Sequence, residues 1–192
     1  MISAPRTEGD LPVVFLYPGT MYCAVEPTLI KTVLGSCVAV CMIDRRRKIS
    51  GLNHYLLPHA DRGRAGLRHG EAAIPLLLER MLKLGCRAGD IEAKIFGGAA
   101  VLAVGNPQEA VGAKNVALAL ECLHALDIQV VARRTGGKSG MMVRLFSATG
   151  EVLIRKVAST VVLSTDALAR DHAGRSRARA APRSLARVKM PA

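Results

Sequence analysis

Tryptophan is absent from this 192-residue sequence, and aromatic residues make up only 3% of it. The core must therefore be aliphatic, built from Val, Leu, Ile, Ala and Met. With half of the residues hydrophobic there is enough of that material for one sizeable core. Long apolar runs are missing too. None reaches the ~18–20 residues that a membrane-spanning helix requires, so no membrane insertion is expected. The first ten residues lack the apolar stretch of a secretory signal. The five cysteines (Cys23, Cys37, Cys41, Cys86, Cys122) are an odd number, which argues against a disulfide framework and for free thiols in a reducing cytoplasm.

Charge of one sign dominates what is present. The formal net charge is +12, which suits nucleic acid, a membrane surface or an acidic protein. Its location narrows the reading. Arg170, Arg175, Arg177, Arg179, Arg183, Arg187 and Lys189 face only Asp171, so half of the net charge falls in an Ala/Arg/Ser/Pro-rich stretch with little to bury. The organisation expected is a flexible leader over 1–10, one domain over 11–165, and a basic, disordered tail over 166–192.

Alternating and helical periodicities fill the middle. Strands are expected over 13–17, 21–25, 29–34, from 37 onward, through 54, and over 91–96, 128–132, 141–146 and 151–157. Helices are expected over 71–84 and 113–126, the first with Gly85 as its C′ residue and with Pro75 tolerable only in the first turn. The fold class is α+β: a mostly antiparallel sheet core with two main helices packed on it.

The most informative segments are Thr32–Cys41 and Gly51–Pro58. Folded on each other with Cys37 opposite His54, they leave Arg45-Arg46 as a two-residue hairpin loop. Directly opposed Cβ atoms then lie roughly 4.5–5.5 Å apart, and a thiol beside an imidazole is a nucleophile–base pair in which the imidazole can favour thiolate. Arg-Arg is poor turn chemistry, so a longer loop and a shifted register remain open. Gly35 and Ser36 precede the cysteine and place it at a tight turn, where free N–H groups could form an oxyanion hole. Cys41 lies inside an apolar run, and Cys86 and Cys122 sit on or beside helices; these three read as small core hydrophobes.

Two other patterns do not survive physical inspection. Cys37-x3-Cys41-x12-His54-x4-His59 has zinc-finger spacing, but an extended Cys37–Cys41 run separates the thiols by about 13 Å at ~3.3 Å per residue. Gly136-Gly137-Lys138-Ser139 looks like the end of a phosphate loop, yet Ala132 stands where its first glycine belongs and a strand follows instead of a helix. No metal and no cofactor is expected.

Taken together, Thr32-Val-Leu-Gly-Ser-Cys37-Val-Ala-Val-Cys41, Gly51-Leu-Asn-His54-Tyr-Leu-Leu-Pro58, Lys94-Ile-Phe-Gly-Gly-Ala99, Gly112-Ala-Lys-Asn115-Val and Thr149-Gly-Glu-Val resemble the CheD family of chemoreceptor glutamine deamidases, in order, from about Val13 to Val157. The resemblance implies a cytoplasmic bacterial enzyme that converts glutamine to glutamate on methyl-accepting chemotaxis receptors. It also implies a fold similar to the catalytic domains of Rho-deamidating toxins, and a CheC-type phosphatase as a second partner. Carried over, Cys37 is the nucleophile, His54 the general base and Thr32 the third catalytic residue. The same geometry could hydrolyse a glutamyl methyl ester. The competing readings are another Cys–His amide hydrolase or transglutaminase-like enzyme, a catalytically silent adaptor, and a nucleic-acid binder acting through the tail. The last is the least favoured.

Overall fold

The computed structural model describes residues 9, 11–61, 63–100 and 110–157. Apart from Gly9, the expected leader lies outside the described residues, as does the basic tail over 166–192.

Among the described residues, nine strands and two α-helices run in the order β1 (Val13–Phe15), β2 (Thr20–Ala24), β3 (Leu29–Leu34), β4 (Val38–Asp44), β5 (Ile49–His54), α1 (Gly70–Lys83), β6 (Ile91–Gly97), α2 (Val111–Ala125), β7 (Gln129–Thr135), β8 (Met141–Phe146) and β9 (Glu151–Lys156), with a short 3-10 turn over Ala88–Asp90. The fold is α+β, as the periodicities imply, but its strands form two sheets. A four-stranded sheet has the order β1-β3-β8-β9, and a five-stranded sheet the order β2-β5-β4-β6-β7. Both are mixed: β1 with β3 and β6 with β7 are parallel, and the remaining pairs are antiparallel.

The five-stranded sheet is the middle layer. Every residue of β4 and β5 is buried, as expected of strands covered on both faces, which lose the polar–apolar alternation of a half-exposed strand. On one face Val38, Val40 and Met42 pack with Ile74, Leu77 and Met81 of α1 and Leu123 of α2. On the other, Ala39, Cys41, Ile43 and Leu52 meet Ile30, Leu34, Val143 and Leu145 of the second sheet. This is the aliphatic core that the missing tryptophan demanded.

Helix ends follow local chemistry. Leu84 caps α1, and Gly85 adopts φ +92. Cys86 N–H then reaches Met81 O at 3.1 Å and Gly85 N–H reaches Leu82 O at 2.9 Å, the paired bonds of a Schellman motif. Pro75 departs from expectation. With α1 starting at Gly70, it is the sixth helical residue and falls in the second turn. Burial of Ala73, Ile74, Leu77 and Met81 against the sheet offsets the missing backbone bond, which costs about 3 kcal/mol in an unsupported helix.

The β4–β5 hairpin also differs from the register expected of it. Asp44 pairs with Ile49 and Cys41 with Leu52, so the loop is Arg45–Lys48, four residues in place of two. The cause is Asp44. Its buried carboxylate accepts from Arg47 N–H at 2.9 Å and from the Arg47 guanidinium at 3.2 Å, and Lys48 takes the left-handed conformation that closes the turn.

Candidate active site

β3 ends at Leu34 in one sheet and β4 begins at Val38 in the other. Gly35-Ser36-Cys37 is therefore the crossing between layers. All three of its carbonyls are held: Gly35 O by Ala99 N at 2.8 Å, Cys37 O by Gly98 N at 2.8 Å, and Ser36 O by Asn115 Nδ2 at 3.1 Å. A Cβ on Gly97, whose φ is +104, would lie 2.2 Å from Cys37 O, so only glycine lets β6 approach this turn. A trans peptide points its C=O and N–H in opposite directions. Binding the carbonyls inward therefore turns the Ser36 and Cys37 N–H groups away, and among the described residues neither has a backbone acceptor. Ser36 is exposed and Cys37 half-buried.

His54 is the last residue of β5. The hairpin displacement means that it does not sit directly opposite Cys37: Val38 bridges Tyr55, which aligns His54 with Ala39. The displacement is even. An odd slip would have sent the two side chains to opposite faces, whereas a slip of two keeps Cys37 and His54 on one face as diagonal neighbours. Cys37 packs at the margin of the sheet–sheet core, on the same side as Ala39 and Leu52.

Thr32 comes from the other sheet. Its Oγ1 lies 2.9 Å from His54 Nδ1 and 2.9 Å from Leu16 O. The carbonyl can only accept, so the hydroxyl donates to it and accepts from an Nδ1–H. This network assigns the neutral ring the Nδ1–H tautomer and leaves Nε2 with a free lone pair. Nε2 is buried and has no hydrogen-bond partner among the described residues, Cys37 included.

Electrostatics set the resting state. Burial pushes the His54 pKa down to about 4, against the opposing pull of the Leu16 carbonyl. Burial likewise raises the Cys37 thiol above its ordinary value, with its own N–H and the Arg68 charge working the other way. At neutral pH the pair is thus a thiol and an imidazole, not the preformed thiolate that proximity alone suggested. Both groups sit where two sheets close and water is scarce, so charge on either is costly. The Arg68 charge acts on this thiol from an exposed position, and its Cγ is 2.8 Å from where a Gly19 Cβ would be.

The remaining thiols differ. Cys41 is fully buried in β4 and burial drives its pKa to about 12; Cys23 and Cys86 are each pushed to about 11. The zinc-like spacing does not assemble. Among the described residues no three His, Cys, Asp or Glu side chains converge, and His59 is an exposed partner of Glu71 at 2.8 Å. Thr32 and His54 are in direct contact, and Gly35, Ser36 and Cys37 form the crossing that follows β3, with Cys37 on the sheet face that carries Ala39 and Leu52. Sequence reasoning assigned no role to Leu16 or to Asn115, although a lone Asn on the buried face of α2 was a visible signal; the Gly97-Gly98 pair reads from the sequence as a turn or a close backbone approach, and the contact with Cys37 O is such an approach.

The family model for CheD chemotactic sensory transduction matches residues 56–156. A probable chemoreceptor glutamine deamidase CheD of Rhodospirillum rubrum is 50% identical over 155 residues, covering 81% of this chain and 88% of that protein. A protein of the same description from Sulfurimonas denitrificans is 41% identical over 149 residues, covering 76% of this chain and 95% of its own length. Among solved structures, the hypothetical protein YfiH of Bacillus licheniformis aligns with a TM-score of 0.43 at 13% identity, covering 62% of this chain and 51% of its own. On its match to the family model and to these relatives, the chain belongs to the CheD family.

Proposed function

We propose that this protein deamidates glutamine side chains of chemotaxis receptors to glutamate, with Cys37 as nucleophile, His54 as general base and Thr32 as the residue that orients the imidazole. Its relatives are described as probable chemoreceptor glutamine deamidases, and deamidation is the chemistry this arrangement supports best. The observation that carries the residue roles is the Thr32–His54 contact, which leaves Nε2 unpartnered on the face shared with Cys37.

The reaction begins with both groups neutral. As Cys37 Sγ attacks the glutamine carboxamide carbon, its proton passes to Nε2, so neither group bears charge before the substrate is in place. The carbonyl oxygen becomes an oxyanion, which the outward Ser36 and Cys37 N–H groups receive. The C–N bond breaks, the imidazolium protonates the departing nitrogen, and ammonia leaves a thioester. Water then attacks the thioester, losing a proton to Nε2, and the thiolate takes a proton back. The sum is one amide and one water converted to a carboxylate and an ammonium ion. A glutamyl methyl ester would follow the same path with methanol as leaving group.

The tests are direct. Mass spectrometry of a receptor cytoplasmic fragment after incubation should show a gain of about 1 Da at selected glutamines, with ammonia released in step. Cys37→Ala that still releases ammonia would remove the nucleophile assignment. No described helix is long and apolar enough to cross a membrane, and the reading places the enzyme in the cytoplasm, where receptor signalling domains are exposed. As family features, a CheC-type phosphatase is a second partner and Rho-deamidating toxin domains share the fold; co-purification and superposition test these.

A further inference from the structure

The β4–β5 ladder ends one residue short of the nucleophile. Val38 and Tyr55 exchange the last pair of backbone bonds, at 3.1 and 3.0 Å. Beyond them the chains carrying Cys37 and Leu56 have no rung between them. A side chain on α2 supplies it. Asn115, fully buried, donates from Nδ2 to Leu56 O at 2.8 Å and to Ser36 O at 3.1 Å. Both of its N–H groups are thereby used, one on each chain. Its own backbone carbonyl accepts from Tyr55 Oη at 2.6 Å, so α2 grips the two residues that follow His54.

We propose that Asn115 is a positioning residue of the active site, whose carboxamide locks the Cys37 turn to the His54 strand and holds the Ser36–Cys37 peptide with its N–H turned toward the attacked carbonyl. It acts from the helix side of the sheet and touches no substrate. Three features set it apart from an ordinary helix-packing residue. Among the described residues, the side-chain bonds it makes fall on the two segments that flank the reacting groups. The Ser36 carbonyl it holds is the one whose peptide partner is the Cys37 N–H, so letting go frees that N–H to rotate. Its Oδ1 is buried and has no partner among the described residues, a desolvation cost that an alanine here would avoid; the carboxamide is retained for its donors. Leu118, Ala119 and Leu123 already bury α2.

The inference rests on the deamidase reading, and the test separates the two. Wild type, Cys37→Ala, Asn115→Ala, Asn115→Ser, Asn115→Gln and a packing control in the same helix, Leu118→Ala, are compared for ammonia release from a receptor fragment and for unfolding by denaturant. The expected result is that Asn115→Ala and Asn115→Ser lower kcat on the order of 10- to 100-fold with KM nearly unchanged, that Asn115→Gln recovers part of the loss, and that Leu118→Ala loses stability while keeping kcat. A folded Asn115→Ala or Asn115→Ser with wild-type kcat overturns the proposal. So does a loss matched by Leu118→Ala, or a series in which every Asn115 variant unfolds and Leu118→Ala does not. Wild type that shows no Cys37-dependent ammonia release overturns the deamidase reading itself.

Discussion

The two ends of the β4–β5 hairpin bury polar groups in opposite ways. At the turn, Asp44 is fully buried and fully answered: Arg47 gives it a backbone N–H and a guanidinium, and the same guanidinium reaches Asp90 at 3.2 Å. Burial works against the carboxylate, but these bonds outweigh it and hold the Asp44 pKa below its ordinary range. At the open end, His54 is just as buried but only half answered, with Nδ1 tied to Thr32 and Nε2 without a partner among the described residues. One end spends its polar groups on stability; the other keeps an unsatisfied base in a dry site, ready for a proton. The expected consequence is a division of labour, in which turn variants change stability and open-end variants change rate.

The largest test of that division is Cys37→Ala, which should lower deamidation by at least about 10³-fold with little change in unfolding midpoint, whereas Cys41→Ala should keep activity. Next comes Thr32→Val. It preserves shape but removes the oxygen that selects the Nδ1–H tautomer, and kcat should fall on the order of 10²-fold with KM nearly steady. Retained kcat would show that Thr32 is only a buried hydroxyl.

Asp44→Ala is the converse. It removes the acceptor of the Arg47 N–H at the turn while the guanidinium keeps Asp90, and should cost about 1–2 kcal/mol of stability in denaturant titration while the kcat of the folded protein stays within about two-fold of wild type. A large loss of rate at full folding would erase the contrast between the two ends.

Acid separates them by pH. His54 has a folded pKa of about 4, below the unfolded value of 6.5. The unfolded chain therefore takes up the proton first, and stability should decline as pH falls from about 6.5 to about 4, by up to ~3 kcal/mol. Asp44 is also depressed, from 3.8, so its contribution is intact above that value and disappears only as pH drops further. His54→Gln should flatten the first phase and leave the second. Deamidation should fall as His54 becomes protonated near pH 4. The smallest effect belongs to Arg68→Ala: loss of its charge should slow iodoacetamide labelling of Cys37 at neutral pH by a few-fold.

Much of this was legible from the chain. Alternation in Leu29–Leu34 and Met141–Phe146 marked β3 and β8 with their observed bounds, and the apolar rows of α1 and α2 marked both helices to within two residues. Cys37, Gly35, Ser36 and His54 stood out because their types and order suit nucleophilic catalysis. The register did not, because Asp44 prefers to cap a four-residue turn over leaving Arg45-Arg46 in a tight one. Resting protonation was equally hidden, since it depends on how closely the sheets pack around the thiol and the ring.

Local pattern thus determined which residues face inward, where strands and helices lie, and which side chains could do chemistry, because periodicity and turn preference act over a few neighbours. Only the tertiary structure decided that Thr32 in one sheet meets His54 in the other, and that Asn115 reaches the crossing between them from α2. Those contacts join residues 22 and 79 positions apart, and they exist because burying two apolar sheet faces and two helices fixes layers against one another at distances that no local preference encodes.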